Sequence, residues 1–390
     1  MPLLVVLALA CFVSSLSMRI IDPVVPAIAR DLGVDAATAA LLVSAFALPY
    51  ALAQLPVGTL GDAVGKARVI KISLAALAAS LLVQSLAPNF AMLFVARVIA
   101  GISAGGIITL AFAIIGDRFP PAERQVALSR VLMAMMASTL FGAVGAGLLA
   151  DLYGWRVVAI TAACMTVAAL ACTLRYLPGR TARTPANFDP GQIRRDYAGI
   201  LNHPLALVCY PGVFAEGILA FGFMPYIAAA LEARGLGGVR EAGFVIAGAG
   251  LGGLLYTFLV RWLLDHLGRT LMVRLGGVLC LIGLGLMALS SGWPAQMAAL
   301  FVLGLGFNPV HNSLQTTATE LAPGARGKAM ALHAFSFFMG LASGPIVYRL
   351  GFATLGRPAM FAIAGLGLFA LALWIAVRLE AHRPRTLGAE

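Results

Sequence analysis

The sequence predicts an all-α membrane protein of twelve transmembrane helices, arranged as two six-helix bundles related by a parallel pseudo-repeat. Three observations carry the prediction: an apolar composition, recurrent charge-free stretches, and landmarks that repeat at a nearly constant offset. Of 390 residues, 61% are apolar and 11% charged, where an ordinary soluble domain carries about 25% charged residues. That composition excludes a cytosolic enzyme. Stretches without charge occur at 36–61, 72–96, 98–116, 131–150, 242–260, 329–348 and 358–377, each near or above the ~18–20 residues that cross a bilayer.

Taken in order, the spans are expected at 3–29, 38–60, 69–87, 92–115, 127–149 and 157–176, then 204–230, 242–262, 271–290, 294–317, 329–348 and 359–377. Most connections are short and carry Gly or Pro, such as Ala87-Pro88-Asn89 and Ser291-Gly292-Trp293-Pro294, as turns between antiparallel helices require. The exception is 177–203, polar and rich in Pro and Arg, which reads as a cytoplasmic linker between bundles at 1–176 and 204–390. The run around Cys11 reads as the first span rather than a lipoprotein leader, because no basic region precedes it. All five cysteines stand singly in apolar runs and read as small hydrophobes, so neither a disulfide framework, a metal site nor a cofactor is expected.

The formal charge of +11 is explained by topology. With both termini on the cytoplasmic side, 19 of the 27 Lys and Arg fall in cytoplasmic segments, six fall outside (Arg30, Arg156, Arg234, Arg240, Arg349 and Arg357), and Arg19 and Arg97 lie within spans. This is the positive-inside distribution, and it removes the need for a nucleic-acid partner. Compact loops and Ala/Gly/Arg usage place the chain in a bacterial inner membrane, as a multi-pass monomer among lipids.

The repeat is visible in the landmarks. Asp62-x-x-Gly65-Lys66 recurs as Asp265-x-x-Gly268-Arg269 at an offset of 203. At an offset of 202, Pro23 meets Pro225, Pro121 meets Pro323, Arg124 meets Arg326, and Gly142-Ala143 meets Gly344-Pro345. Because six spans is an even number, the two copies share one orientation in the membrane. That is a transporter design, with substrate held between halves near the midplane.

Between spans 2 and 3 stand Gly58, Asp62, Gly65, Lys66 and Arg68 in the spacing Gly-x-x-x-Asp-x-x-Gly-Lys-x-Arg. Here the chain resembles the major facilitator superfamily, departing from its signature only at Ala63. Glycines there permit a tight turn and close helix approach, and a carboxylate near helix ends can bridge to basic groups across the two halves; a generic basic turn is the plain alternative. In span 4, Arg97-x-x-x-Gly101-x-x-x-Gly105 resembles an element typical of proton-coupled members. In span 5, Gly142 through Gly147 followed by Gly154 resembles the antiporter element, with Ala143 in place of its proline, whereas Gly344-Pro345 stands in span 11. The sequence from Arg19 to Ala29 is similar to the first span of drug:proton antiporters and sugar efflux proteins.

Charged groups within spans are costly and mark function unless they face protein, water or a counter-ion. Asp22 and Arg97 sit at similar depth counted from the outer ends of spans 1 and 4, so Arg97 is expected to be the counter-ion of Asp22, with Arg19 on the same helix face as Asp22. A static bridge holding two helices together is the rival to a proton-coupling pair. Glu216 is expected near mid-depth in span 7. Asn308, His311, Asn312 and Gln315 fall at i, i+3, i+4 and i+7 on one face of span 10, and His333 follows in span 11. Such groups should not face lipid, and lining a substrate cavity competes with interhelical hydrogen bonding as their task.

The resemblance implies a secondary transporter that exports a small organic compound in exchange for protons by alternating access. A proton-coupled importer of a sugar or metabolite is the alternative. An intramembrane enzyme is disfavoured because no His-Glu-x-x-His or clustered metal spacing occurs, and a receptor role leaves the buried charges without a task.

Overall fold

Proline and glycine set the breaks between and within the helices. A computed structural model of the chain describes residues 2–177, 190–322 and 325–381; residues 178–189 of the expected linker, Pro323, Arg383 and Arg385 lie outside these residues. The first half consists of α1 (Pro2–Arg19), α2 (Val25–Leu32), α3 (Ala36–Val64), α4 (Lys66–Ser85), α5 (Phe90–Gly105), α6 (Ile107–Arg118), α7 (Pro121–Tyr153) and α8 (Trp155–Tyr176). After α9 (Pro190–Leu201), the second half consists of α10 (Ala206–Phe221), α11 (Ile227–Glu232), α12 (Val239–Leu289), α13 (Trp293–Leu321), α14 (Arg326–Thr354) and α15 (Arg357–Ala381). No strand occurs among the described residues.

Among the described residues, ten segments are long and apolar enough to cross a membrane by length and composition. One of them, α12, is 51 residues long and breaks at Gly268, whose φ of 70° and ψ of 167° are not helical; it supplies spans 8 and 9. The 29-residue α13 falls outside the ten, because Asn308, His311, Asn312 and Gln315 lower its apolarity. Splitting α12 and adding α13 gives the twelve expected spans.

Spans 1 and 7 are each broken once, at equivalent places. A short 3-10 turn, Asp22–Val24, joins α1 to α2, and another, Met224–Tyr226, joins α10 to α11. Pro23 and Pro225 lie in these turns, where proline removes a backbone donor and clashes with the preceding turn. Span 4 breaks between α5 and α6 at Gly105–Gly106, a break that its apolar pattern does not reveal. Nor does the pattern reveal α9, whose buried Ile200 joins the cluster of Tyr210, Leu321 and Ala329 and whose Asp196 pairs with Lys328.

Small residues let the helices meet at backbone distance. A Cβ on Gly101 would strike the Phe46 carbonyl, and one on Gly105 the Tyr50 carbonyl, so α5 lies directly on α3. Gly340 sits against the Phe214 carbonyl and Gly344 against Gly222, which joins α14 to α10, while Gly142 faces Leu16 of α1. With no hydrophobic force between helices in lipid, such close packing supplies much of the association.

Candidate functional site

Asp22 opens the 3-10 turn of span 1 and is 1% exposed. Arg19, one turn earlier, places Nη1 3.4 Å from Asp22 Oδ2; Oδ1 has no hydrogen-bond partner. Arg97 is fully buried on α5 but does not bond Asp22. Its Nη1 donates to the Ser17 carbonyl at 2.8 Å, its Nε donates to the Leu42 carbonyl at 3.2 Å, and its guanidinium covers the Phe46 ring at 4.5 Å. The direct contact of Asp22 is therefore with Arg19, while Arg97, the expected counter-ion, acts on Asp22 through its charge without forming an ion pair. The physical reason lies in the broken helix: α1 ends at Arg19, its last carbonyls lack intrahelical partners, and Arg97 satisfies the one at Ser17. Residue spacing gives depth along the membrane, but not the direction in which a side chain leaves a helix that breaks.

In the second half, the structure brings Glu216, His311 and His333 together from α10, α13 and α14. His311 Nδ1 lies 3.1 Å from Glu216 Oε2, and the His333 ring stands edge-on to His311 with centroids 5.1 Å apart. Glu216 is 0% and His333 3% exposed, so neither lines an open cavity in this conformation; His311, with its side chain 18% exposed, stands in front of Glu216. Phe307 stacks on His311 at 5.0 Å, Phe337 tilts against it at 5.0 Å, and Phe221 meets Phe307 edge-on at 4.8 Å. Arg19 reaches over the Phe221 ring at 4.9 Å and touches Met224 Sδ at 3.6 Å. An aromatic layer thus separates the Asp22–Arg19 pair from the Glu216–His311–His333 cluster.

The remaining polar face of α13 does not converge on that cluster. Asn308 donates to the Gly304 carbonyl of its own helix at 2.7 Å, and its amide lies beside Gly253 of α12. Asn312 is half-buried and Gln315 exposed. Four positions on one face rise about 10 Å along the helix, so one stripe meets different neighbours at each level.

At the end of the bundle where α1 begins and α15 ends, Lys66 and Arg269 form ion pairs within their own halves. Lys66 reaches Asp62 at 3.5 Å and Asp117 at 2.7 Å; Arg269 reaches Glu320 at 3.5 Å and donates to Ser313 Oγ at 2.9 Å. Bridges from Asp62 or Lys66 to the other half, an expected role of this motif, are not formed here. Arg68 and Asp265 are exposed. Gly65 and Gly268 do make the tight turns expected of them, with φ of 102° and 70°. A Cβ on Gly58 would meet nothing within 4 Å, so its expected close approach is absent. Asp117 and Glu320 were missed in the sequence, although they lie at the same offset as Lys66 and Arg269.

At the opposite end the halves touch. Arg30 pairs with Glu232, Ser44 Oγ donates to the Ala342 carbonyl at 2.6 Å, and Tyr50 packs on Phe338 at 4.2 Å. Gly147 meets the Val239 carbonyl, and Gly243 meets that of Ala143. Asp31 stays within its half, pairing with Arg156 and accepting from Trp155 Nε1 at 3.1 Å.

Comparison with known proteins agrees with this geometry. Residues 7–345 match the family model described as Major Facilitator Superfamily, and residues 209–390 match it again. The chain belongs to the Major Facilitator Superfamily. Multidrug export protein EmrB of Escherichia coli (strain K12) is 29% identical over 180 residues, a match that spans 46% of this chain and only 35% of that relative. Quinolone resistance protein NorA of Staphylococcus aureus (strain MRSA252) is 22% identical over 340 residues, 86% of each chain. Among solved structures, a D-xylose–proton symporter superposes with a TM-score of 0.78 at 15% identity over 100% of this chain and 99% of that one. A peptide transporter, POT, in complex with sulfate superposes with a TM-score of 0.77 at 17% identity over 97% and 94%. At such identities the structural matches establish the fold alone. The chain is thus a multi-pass membrane protein of that superfamily.

Proposed function

We propose that this transporter exports a small organic compound in exchange for protons, and that Asp22 is the carboxylate whose occupancy couples the two. The observation that carries the reading is the position of the Asp22–Arg19 pair. Arg19 is held at once by Asp22 of its own half and by Phe221 and Met224 of the other. Parting the halves at this end strips Arg19 of the second set of contacts and admits water to Asp22, so proton affinity changes with conformation. Arg97 is the positioning residue that fixes the broken end of α1 on which Asp22 is carried.

On this reading both termini lie in the cytoplasm of a bacterial inner membrane, an orientation the charge distribution supports; the contacts between halves then close the outer side and the conformation faces inward. Substrate enters from the termini side toward His311 and its aromatic neighbours. EmrB and NorA, by name an export protein and a resistance protein, support export over uptake.

The test uses inverted vesicles energised to an acidic lumen, with a fluorescent amine reporting the gradient. A panel of amines, sugars and peptides is added to the outside, the face that was cytoplasmic. Export by exchange dissipates the gradient for some members of the panel, and Asp22→Asn abolishes that response. A panel that dissipates nothing here, yet moves protons when preloaded into the lumen, overturns export in favour of symport.

A further inference from the structure

We infer that Arg234 and Arg357 hold a phosphate anion between them at the end of the bundle where the halves touch, and that an anionic phospholipid headgroup supplies it. The ligand is thus a lipid and not the transported compound. The repeat makes two corners of the molecule equivalent, and they differ in charge. Gly154 and Gly356, 202 positions apart, both turn the chain with positive φ, 87° and 79°, just before α8 and α15. Each corner includes a loop carbonyl, that of Ala87 before α5 and that of Ser290 before α13, 203 positions apart.

In the first half the corner balances its own charge. Arg156 Nη2 donates to the Ala87 carbonyl at 3.0 Å, its guanidinium covers the Trp155 ring at 4.5 Å, and it pairs with Asp31. In the second half the position 202 residues after Asp31 is Ala233, and Arg234 follows it. Arg234 Nη1 donates to the Ser290 carbonyl at 3.2 Å, as Arg156 does to that of Ala87. Arg357, the first residue of α15, covers the Phe352 ring at 5.7 Å. One acid and one base have become two bases, close enough to repel each other.

The acids of this corner are engaged elsewhere. Glu232 pairs with Arg30, and Glu241 accepts from the Gly238 amide at 2.8 Å. Among the described residues, neither Arg234 nor Arg357 forms an ion pair. Two guanidinium groups, one anchored on a carbonyl and one on a ring, are therefore kept together without a counter-ion, and their planar forks match the oxygens of a phosphate. The surroundings select the source of that phosphate. Leu289, next to Ser290, is 83% exposed, and Leu355, two residues before Arg357, is 53% exposed. In a multi-pass protein such leucines face hydrocarbon, so the arginines beside them stand at headgroup level. A free phosphate would use the arginines alone; a phospholipid uses both.

Native mass spectrometry of the purified full-length protein in detergent with added phosphatidylglycerol counts the lipids it retains, without any transported substrate. Arg234→Gln and Arg357→Gln should each retain one phosphatidylglycerol fewer than the native protein, and should match it when zwitterionic phosphatidylcholine is added instead. Ala233→Asp should lose the same lipid while melting no lower than the native protein, because it restores the internal counter-ion that Asp31 supplies in the first half. Arg234 is exposed, so its variant decides even where Arg357→Gln fails to fold. A phosphatidylglycerol count unchanged by Arg234→Gln or by Ala233→Asp overturns the site. An equal loss of phosphatidylcholine overturns anion recognition in favour of an apolar groove. Inorganic phosphate separates the two sources: phosphate that displaces this one lipid from the native protein, and leaves the Arg234→Gln count as it was, overturns the headgroup in favour of the free anion.

Discussion

Two side chains in the first half, Asp22 and Arg97, are buried for different reasons, and their variants should fail differently. Asp22→Asn keeps shape and removes charge, so insertion and thermal stability should persist while proton-driven flux falls at least about tenfold; proton-driven flux at the native level would remove Asp22 from the mechanism. Arg97→Ala instead opens the Ser17 and Leu42 carbonyls and uncovers the Phe46 ring, and a buried group left without its hydrogen-bond partner costs about 1–3 kcal/mol. Arg97→Lys should not restore the folded yield, because one ammonium lacks the planar fork that reaches two carbonyls while stacking on a ring. A lysine variant that melts with the native protein would show the carbonyl contacts to be dispensable. The buried charges themselves were legible in the sequence, since charge within a span is rare and costly. Their pairing was not: rise per residue gives depth, whereas partner choice depended on the Ser17 carbonyl left without a backbone donor where α1 ends, a consequence of three-dimensional helix termination.

At the scale of helices, contrast between two glycines separates packing from motion. Gly340 touches the Phe214 carbonyl and admits no side chain, so Gly340→Val should lower the melting temperature through overpacking, about 1–3 kcal/mol. Gly58 meets nothing in this conformation. Gly58→Leu should therefore fold with native stability yet cut turnover severalfold, because the added side chain obstructs approach of the halves at the termini side; unaltered turnover would mean that Gly58 never meets the other half. Helix starts are equally specific. Asp35 caps α3 by accepting from the Thr38 amide at 2.8 Å and the Thr38 hydroxyl at 2.6 Å, and these bonds hold its carboxyl below the ordinary range. The contribution is present above the ordinary carboxylate pKa and lost as pH falls through the lower folded value. Asp35→Ala should cost about 1 kcal/mol at neutral pH and nothing in strong acid, a pH-dependent gap in melting temperature that a role in packing would not produce. Glycine and proline spacing made most of these elements legible. Helix α9 was missed because its sequence is mostly polar, and Ile200 with Tyr197 packed in the same cluster leaves too few apolar positions for a periodic signal.

The whole molecule closes by joining equivalent points of its repeat, and this sets how firmly it can close. Arg30 and Glu232 are separated by 202 positions, the offset that relates Pro23 to Pro225, so the closing ion pair joins corresponding ends of spans 1 and 7. The two 3-10 turns stand at that same offset. A pair whose arginine is 64% exposed contributes only about 0–1 kcal/mol. A weak latch suits the proton-coupled cycle proposed above, whose conformational bias would have to stay within reach of one proton-binding event. Reversing one charge, Arg30→Glu, should then raise the open population by up to about fivefold, the equivalent of roughly 1 kcal/mol. The readout is maleimide labelling of a cysteine substituted at Ser44, which the closed end shields through its bond to the Ala342 carbonyl. The compensating pair Arg30→Glu with Glu232→Arg should return labelling to the native rate, because the interaction is symmetric in sign. If the single reversal left labelling unchanged, closure would rest on the Tyr50–Phe338 and Gly147–Val239 contacts instead, and the latch would belong to helix packing rather than to charge.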